Sequence, residues 1–315
     1  MQHTGQEHGL HSTPRQGRSW QDRTYSNINA ISMEMKLILK GMVTLAAVFF
    51  TSASSIAQQL FRPELGVCAS MKDTDLVARH GFLFIQPTVS EYLKPNDPVD
   101  SLKLTESLPV YACNVFLPGS LKAVGPEADH NGILSHSANV FAHAQKTGVG
   151  IVVFGSGGSR RVPEGYDRQE AIEQFTSLAG KLAKLAASYG VVICLENLNS
   201  GETNLFNTVE EAYGIAKRVN HPNFKLLVDI YHMLKENESP ERIIEAGREF
   251  VYHVDIAEKE NRTAPGVAGD DFRPYLRALR KIGYAGKIAL ECRFDDMAIE
   301  LPVAMKELTL QLETL

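Results

Sequence analysis

VVICLENLN (191–199), KLLVDIYHM (225–233), FVYHVDIAEKENR (250–262) and KIALEC (287–292) are apolar runs that each carry a carboxylate at or near their end. The four acids are Glu196, Asp229, Asp255 and Glu291, and His232 stands three residues past Asp229. Near-continuous apolar runs of this length suit strands of a parallel sheet covered on both faces. Helix-like sequence separates them, which makes the repeating unit a strand followed by a helix.

Outward from these runs, the same alternation reaches back to LGVCA (65–69), FLFIQ (82–86), VYACNVFLP (110–118) and GVGIVVFGSG (148–157). Capping signals mark the helices between them. Asp167 with Glu170 and Thr208 with Glu211 are capping boxes. Ser239-Pro240 is a helix start, Gly190 and Gly283 are helix stops, and residues 132–147 and 298–313 read as helices, with a shorter one near 99–107. Eight strands, each followed by a helix, define the fold class as α/β, a (β/α)8 TIM barrel in a single domain over residues 58–315. A doubly wound open sheet is the alternative; it lacks the glycine fingerprint expected after a first strand.

The first 57 residues read differently. Residues 1–32 are polar and are expected to be a non-native or disordered extension. From Met33, Lys36 and Lys40 precede the apolar run Gly41–Phe50, followed by small residues up to Ala57. This is the pattern of an export signal over 33–57, cleaved after Ala57, and it predicts a periplasmic or exported protein. If the run is not a signal, the protein stays in the cytoplasm. The run is too short for a stable membrane span, which takes about 20 residues. The four cysteines, Cys68, Cys113, Cys194 and Cys292, lie in strand-like runs and are expected to be buried free thiols. A net charge of −5 provides no basic footprint for nucleic acid.

In a parallel barrel the C-terminal strand ends meet at one mouth, where sites form. Carboxylates are rarely buried unless paired or bound to metal, and four converging acids repel one another. One divalent cation held by Glu196, Asp229, Asp255 and Glu291 resolves that repulsion. The glycine-rich stretch FGSGGSRRVPEGYD (154–167) brings Arg160 and Arg161 to the same end, either as ligand contacts or as a polar loop.

The residues LENLNSGETNLFNT (195–208), VDIYHM (228–233), HVDIAEKENRTAPG (253–266) and IALEC (288–292) resemble the sugar-phosphate isomerase/epimerase superfamily of xylose-isomerase-like barrels. The closer likeness is to the ketose 3-epimerase and hydroxypyruvate isomerase branch, over residues 62–312. The resemblance implies metal ligation by Glu196, Asp229, Asp255 and Glu291, with Glu196 and Glu291 also moving protons as the catalytic pair. It places His232 and Arg262 on substrate oxygens; His253 and Asn114 are further substrate-binding candidates. Asp255 stands where the family has histidine, and the Asp255-to-Arg262 spacing is slightly longer than the family's. Either Asp255 or His253 is then the third ligand. An all-oxygen set favours Mn²⁺ or Mg²⁺, with Co²⁺ and Zn²⁺ as alternatives.

The implied reaction is proton abstraction beside a carbonyl through a cis-enediolate, giving a metal-dependent sugar isomerase or epimerase. The partner is a small-molecule sugar, and a homo-oligomer is compatible with it. A lyase or hydrolase acting on 3-keto-glycosides with the same metal and acids is the competing reading. A non-catalytic sugar-binding barrel and a DNA-repair endonuclease come behind; the acidic charge and export pattern oppose the latter.

Overall fold

The computed structural model describes residues 61–101 and 107–315; the segments expected over 1–32 and 33–57 lie outside them. Among the described residues, seven strands form one parallel sheet: β1 (Leu65–Val67), β2 (Ala112–Cys113), β3 (Ile151–Phe154), β4 (Val192–Glu196), β5 (Phe224–Asp229), β6 (Val251–Ile256) and β7 (Ile288–Leu290). They run in the order β1-β7-β6-β5-β4-β3-β2.

The strand expected at FLFIQ is a correction. It contributes single bridges, Ile85 to Val67 and to Val110, with Thr88 bridged to Asn114. The chain nevertheless closes the ring between β1 and β2. Gln86 N–H donates to the Val67 carbonyl at 2.9 Å, and Tyr111 N–H donates to the Ile85 carbonyl at 3.2 Å. Pro87 and Pro109 flank these contacts and have no N–H to extend a ladder, which explains why the second strand shrinks to a bridged residue. The fold is the TIM barrel, with one rudimentary strand.

Helices surround the ring: α1 (Thr74–Arg79), α2 (Val89–Tyr92), α3 (His130–Thr147), α4 (Gly157–Arg160), α5 (Arg168–Ser188), α6 (Val209–Val219), α7 (Ile230–Lys235), α8 (Glu241–Phe250), α9 (Arg273–Lys281) and α10 (Met297–Glu313). Two starts follow the capping signals. The Asp167 carboxylate accepts from Glu170 N–H at 2.7 Å, and Thr208 Oγ1 accepts from Glu211 N–H at 3.1 Å. The helix expected near 99–107 is, in its described part, a 3₁₀ turn at Val99–Ser101. No described helix is long and apolar enough to cross a membrane.

Strand alternation sorts the side chains into two layers. Val152 and Phe154 of β3, Ile193 and Leu195 of β4, and Leu226 and Val228 of β5 join the large core shared with the helices. Ala112, Ile151, Val153, Cys194 and Leu227 form a separate cluster inside the ring. Two residues further along the interior face come Gly155, Glu196 and Asp229. The acids are therefore the top layer of the barrel filling, placed at the mouth by the period of two. All four cysteines are free; Cys113 and Cys194 are buried, whereas Cys68 and Cys292 are partly exposed.

Candidate metal and sugar site

Glu196 ends β4, Asp229 ends β5, Asp255 sits near the end of β6, and Glu291 follows β7 directly. Asp229 and Asp255 are register partners across β5 and β6. Both are fully buried, and Glu196 is 4% exposed. Burial pushes Glu196 well above the ordinary carboxylate range, reinforced by the charges of Glu291, Asp229 and Asp255. Glu291 is pushed up to about 8, first by burial; Arg262 pulls it down while Asp255 and Asp229 push it further up. Burial also raises Asp229, against the pull of Arg262 and of the His232 N–H.

The motif after β4 does three separate jobs. Glu196 supplies the acid. The Asn197 side chain pairs with the Asp229 backbone, accepting its N–H at 3.0 Å and donating to its carbonyl at 3.1 Å. Asn199 donates its backbone N–H to His232 Nδ1 at 3.1 Å. A backbone N–H can only donate, so Nδ1 is the unprotonated nitrogen and Nε2 carries the hydrogen. Burial lowers the His232 pKa to about 3, with Arg262 adding to the effect, so the ring is neutral. Its Nε2–H lies 3.4 Å from Asp229 Oδ2 and 3.6 Å from Glu196 Oε1, and is otherwise without a partner. His232 is thus a donor facing the mouth, suited to an oxygen of a ligand.

Arg262 reaches into the same space. Its Nη2 donates to Glu291 Oε2 and, at 3.3 Å, to Asp229 Oδ2; its Nε donates to the Glu291 carbonyl at 2.9 Å. Burial works to lower its pKa, but Glu291, Asp229 and Glu196 outweigh it and raise the value. The loop that carries it turns on Glu258, a fully buried carboxylate. Glu258 accepts from Thr263 Oγ1 at 2.9 Å and from the N–H groups of Gly266, Ala268, Gly269 and Asp270. Arg262 itself has φ of 58°, in the left-handed region, which costs a non-glycine residue on the order of 1–3 kcal/mol. The Glu258 hub sustains that conformation.

Asn114 follows β2 and donates to Glu291 Oε1 at 3.1 Å, leaving its buried Oδ1 without a partner. His253 lies deeper in the barrel, against the rings of Phe84 and Tyr111. Its Nε2 donates to Gln86 Oε1 at 2.6 Å, and the Gln86 amide donates to Asp255 Oδ2 at 3.0 Å. Among the described residues, two sets of ligand-type atoms lie within 4.8 Å of one another: Glu196, Asp229 and His232; and Cys68, Asp255 and Glu291. His253 joins neither. The donors fit a divalent ion: clustered carboxyls, with Asp255 Oδ1 buried and accepting no hydrogen bond, 3.3 Å from His253 Nε2.

Gln86, Cys68, Asn197, Asn199 and Glu258 were not singled out by sequence as site residues. Gln86 carries the signal that marked the acids, a polar residue closing an apolar run, but it is uncharged. Arg160 and Arg161, open between ligand contacts and a polar loop, are both engaged by backbone carbonyls. Arg160 is fully buried and donates to the carbonyls of Glu196 at 2.7 Å and Phe154 at 3.3 Å, while Arg161 donates to the Glu202 carbonyl at 2.6 Å. A buried guanidinium must find acceptors, and the backbone supplied them.

Gly155 shares the interior layer with Glu196, and a Cβ placed there would overlap the Glu196 carboxylate. Gly155→Ala is expected to cost about 10²-fold in turnover by displacing that group, with the melting temperature little changed; steady-state kinetics and thermal melts check it.

The raised acids also set a pH dependence for the metal-free protein. A carboxyl at about 8 in the fold, against an ordinary 4.5, binds its proton more tightly folded than unfolded. Its stabilising contribution is therefore full below about 4.5 and is lost as pH rises to about 8. Chelated protein should lose stability across that window, on the order of 1 kcal/mol per pH unit. Excess divalent ion should reverse the trend, because ligands bind metal deprotonated. Denaturant melts with and without chelator measure both.

A family model described as "Xylose isomerase-like TIM barrel" matches residues 75–310. D-psicose 3-epimerase of Ruminiclostridium cellulolyticum is 33% identical over 125 residues, which are 40% of this chain and 42% of that protein. The match thus spans less than half of that relative's length. Among solved structures, the Escherichia coli 3-keto-D-glucoside 4-epimerase YcjR superposes with a TM-score of 0.66 at 19% identity, over 79% of this chain and 99% of that one. The IOLI protein with a bound zinc atom superposes with a TM-score of 0.64 at 21% identity, over 80% and 98% of the two chains.

Proposed function

Because the chain belongs to the xylose isomerase-like TIM barrel family, we propose that it is a divalent-metal-dependent epimerase or isomerase of a carbonyl-bearing sugar. The observation that carries this reading is the convergence of acids from β4, β5, β6 and β7 at one mouth, with Glu196 and Glu291 at the two ends of that arc. Strands three places apart in the ring bring their end groups to a substrate from different sides. The names of the relatives, epimerases of a ketose and of a 3-keto-glucoside, support the substrate class.

In this reading Glu196, Asp229, Asp255 and Glu291 hold the ion, whose chemistry is to polarise the carbonyl and acidify the adjacent C–H. The zinc bound by a structural neighbour supports a divalent ion. Glu196 takes the proton. Glu291 returns one to the opposite face for an epimerase. For an aldose–ketose isomerase the proton goes to the neighbouring carbon. His232 Nε2–H and Arg262 donate to the substrate oxygens that gain charge, and Asn114 aligns Glu291.

The test is a panel of free ketoses and 3-keto-glycosides incubated with the metal-loaded protein and followed by NMR. An epimer or isomer with the skeleton intact is the expected result. Release of an aglycone moves the protein to the lyase class, and no turnover across the panel counts against an enzyme on these sugars. We also propose export through residues 33–57; a mature N-terminus at Gln58, read by N-terminal sequencing, is the expected outcome.

A further inference from the structure

This inference rests on the metal reading above and adds a ligand to it. Cys68 follows β1 on the interior face, two residues past Gly66. Its backbone N–H donates to the Leu290 carbonyl at 2.8 Å, which fixes it beside Glu291 at the mouth. Cys68 Sγ, an Asp255 oxygen and a Glu291 oxygen lie within 4.8 Å of one another. Asp255 has one oxygen satisfied by Gln86, while the other, Oδ1, is buried and accepts no hydrogen bond; His253 Nε2 lies 3.3 Å from it but gives its hydrogen to Gln86. A buried carboxylate oxygen that accepts no hydrogen bond, beside a sulfur and a second carboxylate, is an incomplete coordination shell.

We propose that Cys68 Sγ is a ligand of the divalent ion, making the centre a mixed sulfur–oxygen site. As the sulfur–metal bond forms, the S–H bond breaks and its proton leaves to solvent; no electron is transferred. Arg262, bonded to both Asp229 and Glu291, offsets part of the added negative charge. A thiolate in the set changes the metal. The carboxylates alone favour Mn²⁺ or Mg²⁺, whereas one sulfur shifts preference to Zn²⁺ or Co²⁺. Cys292 is the internal control: it is also near the mouth, but its thiol is turned to the Ile256 carbonyl at 3.6 Å.

The test is cobalt titration of the chelator-stripped full chain, with Cys68→Ser and Cys292→Ser alongside. Expected are visible ligand-field bands in all three, saturating at one ion per chain. A near-ultraviolet sulfur-to-cobalt band is expected in the parent and in Cys292→Ser, and absent from Cys68→Ser. X-ray absorption of the zinc-loaded parent should show a Zn–S distance of about 2.3 Å, a result that needs no variant to fold. Cobalt bound with ligand-field bands but no sulfur band in the parent overturns the Cys68 assignment and leaves the metal site standing. A sulfur band that survives in Cys68→Ser overturns it as well. Failure of the parent to bind cobalt overturns the metal reading itself.

Discussion

Glu291→Gln is expected to lower turnover by about 10²–10⁴-fold at saturating metal and sugar. The amide is nearly isosteric and its one oxygen can still accept from Arg262, while its NH2 takes the place of the oxygen that accepts from Asn114. It cannot exchange a proton. Glu196→Gln should fall by a similar factor, because its neighbour at the mouth, His232, is neutral and its Nδ1 is occupied by the Asn199 N–H. Neither variant should unfold. Each removes one of several mutually repelling buried acids, so the metal-free melting temperature should hold or rise. Rate measurements over a metal titration separate lost chemistry from weakened metal binding. A variant that regains full turnover at high metal would show that the carboxylate serves only as a ligand.

Asp229→Asn is expected to abolish stoichiometric metal binding, and activity with it. Asp229 is fully buried, receives Arg262, and its Oδ1 accepts the His232 N–H at 3.2 Å as the cap of α7. Asparagine keeps the cap and removes the charge, so loss of metal is not confounded with loss of the helix start. Ion binding at a hundredfold excess over its Kd stabilises by about 2.7 kcal/mol. That increment should vanish from the melts of the variant, while metal analysis should fall from one ion per chain to a trace.

The acids were legible in the sequence because a barrel imposes two regularities at once. Strands buried on both faces read as apolar runs, and the site sits where those runs end. Glu196, Asp229, Asp255 and Glu291 all satisfy both. What stayed hidden depends on register between strands distant in sequence. Gln86 bonds to His253, 167 residues away, and nothing local announces it. Asn197 and Asn199 were visible as a motif, but their jobs, tying down the Asp229 backbone and fixing the His232 tautomer, exist only once β4 lies beside β5. Cys68 looked like an ordinary core thiol because its neighbours at the mouth come from the far end of the chain. FLFIQ reads as a full strand since its residue types are right; the prolines on either side of its contacts decided otherwise.

The central claim is metal-dependent proton transfer at the carbon beside a sugar carbonyl. Its most direct test is turnover of an accepted ketose or 3-keto-glycoside in D₂O, with the recovered sugar read by NMR. Deuterium is expected at the carbon beside the carbonyl, with the skeleton intact. Exchange should vanish with chelator, return with divalent ion, and be absent from Glu196→Gln. Conversion without deuterium uptake at any ion concentration, or exchange indifferent to chelator, would contradict it.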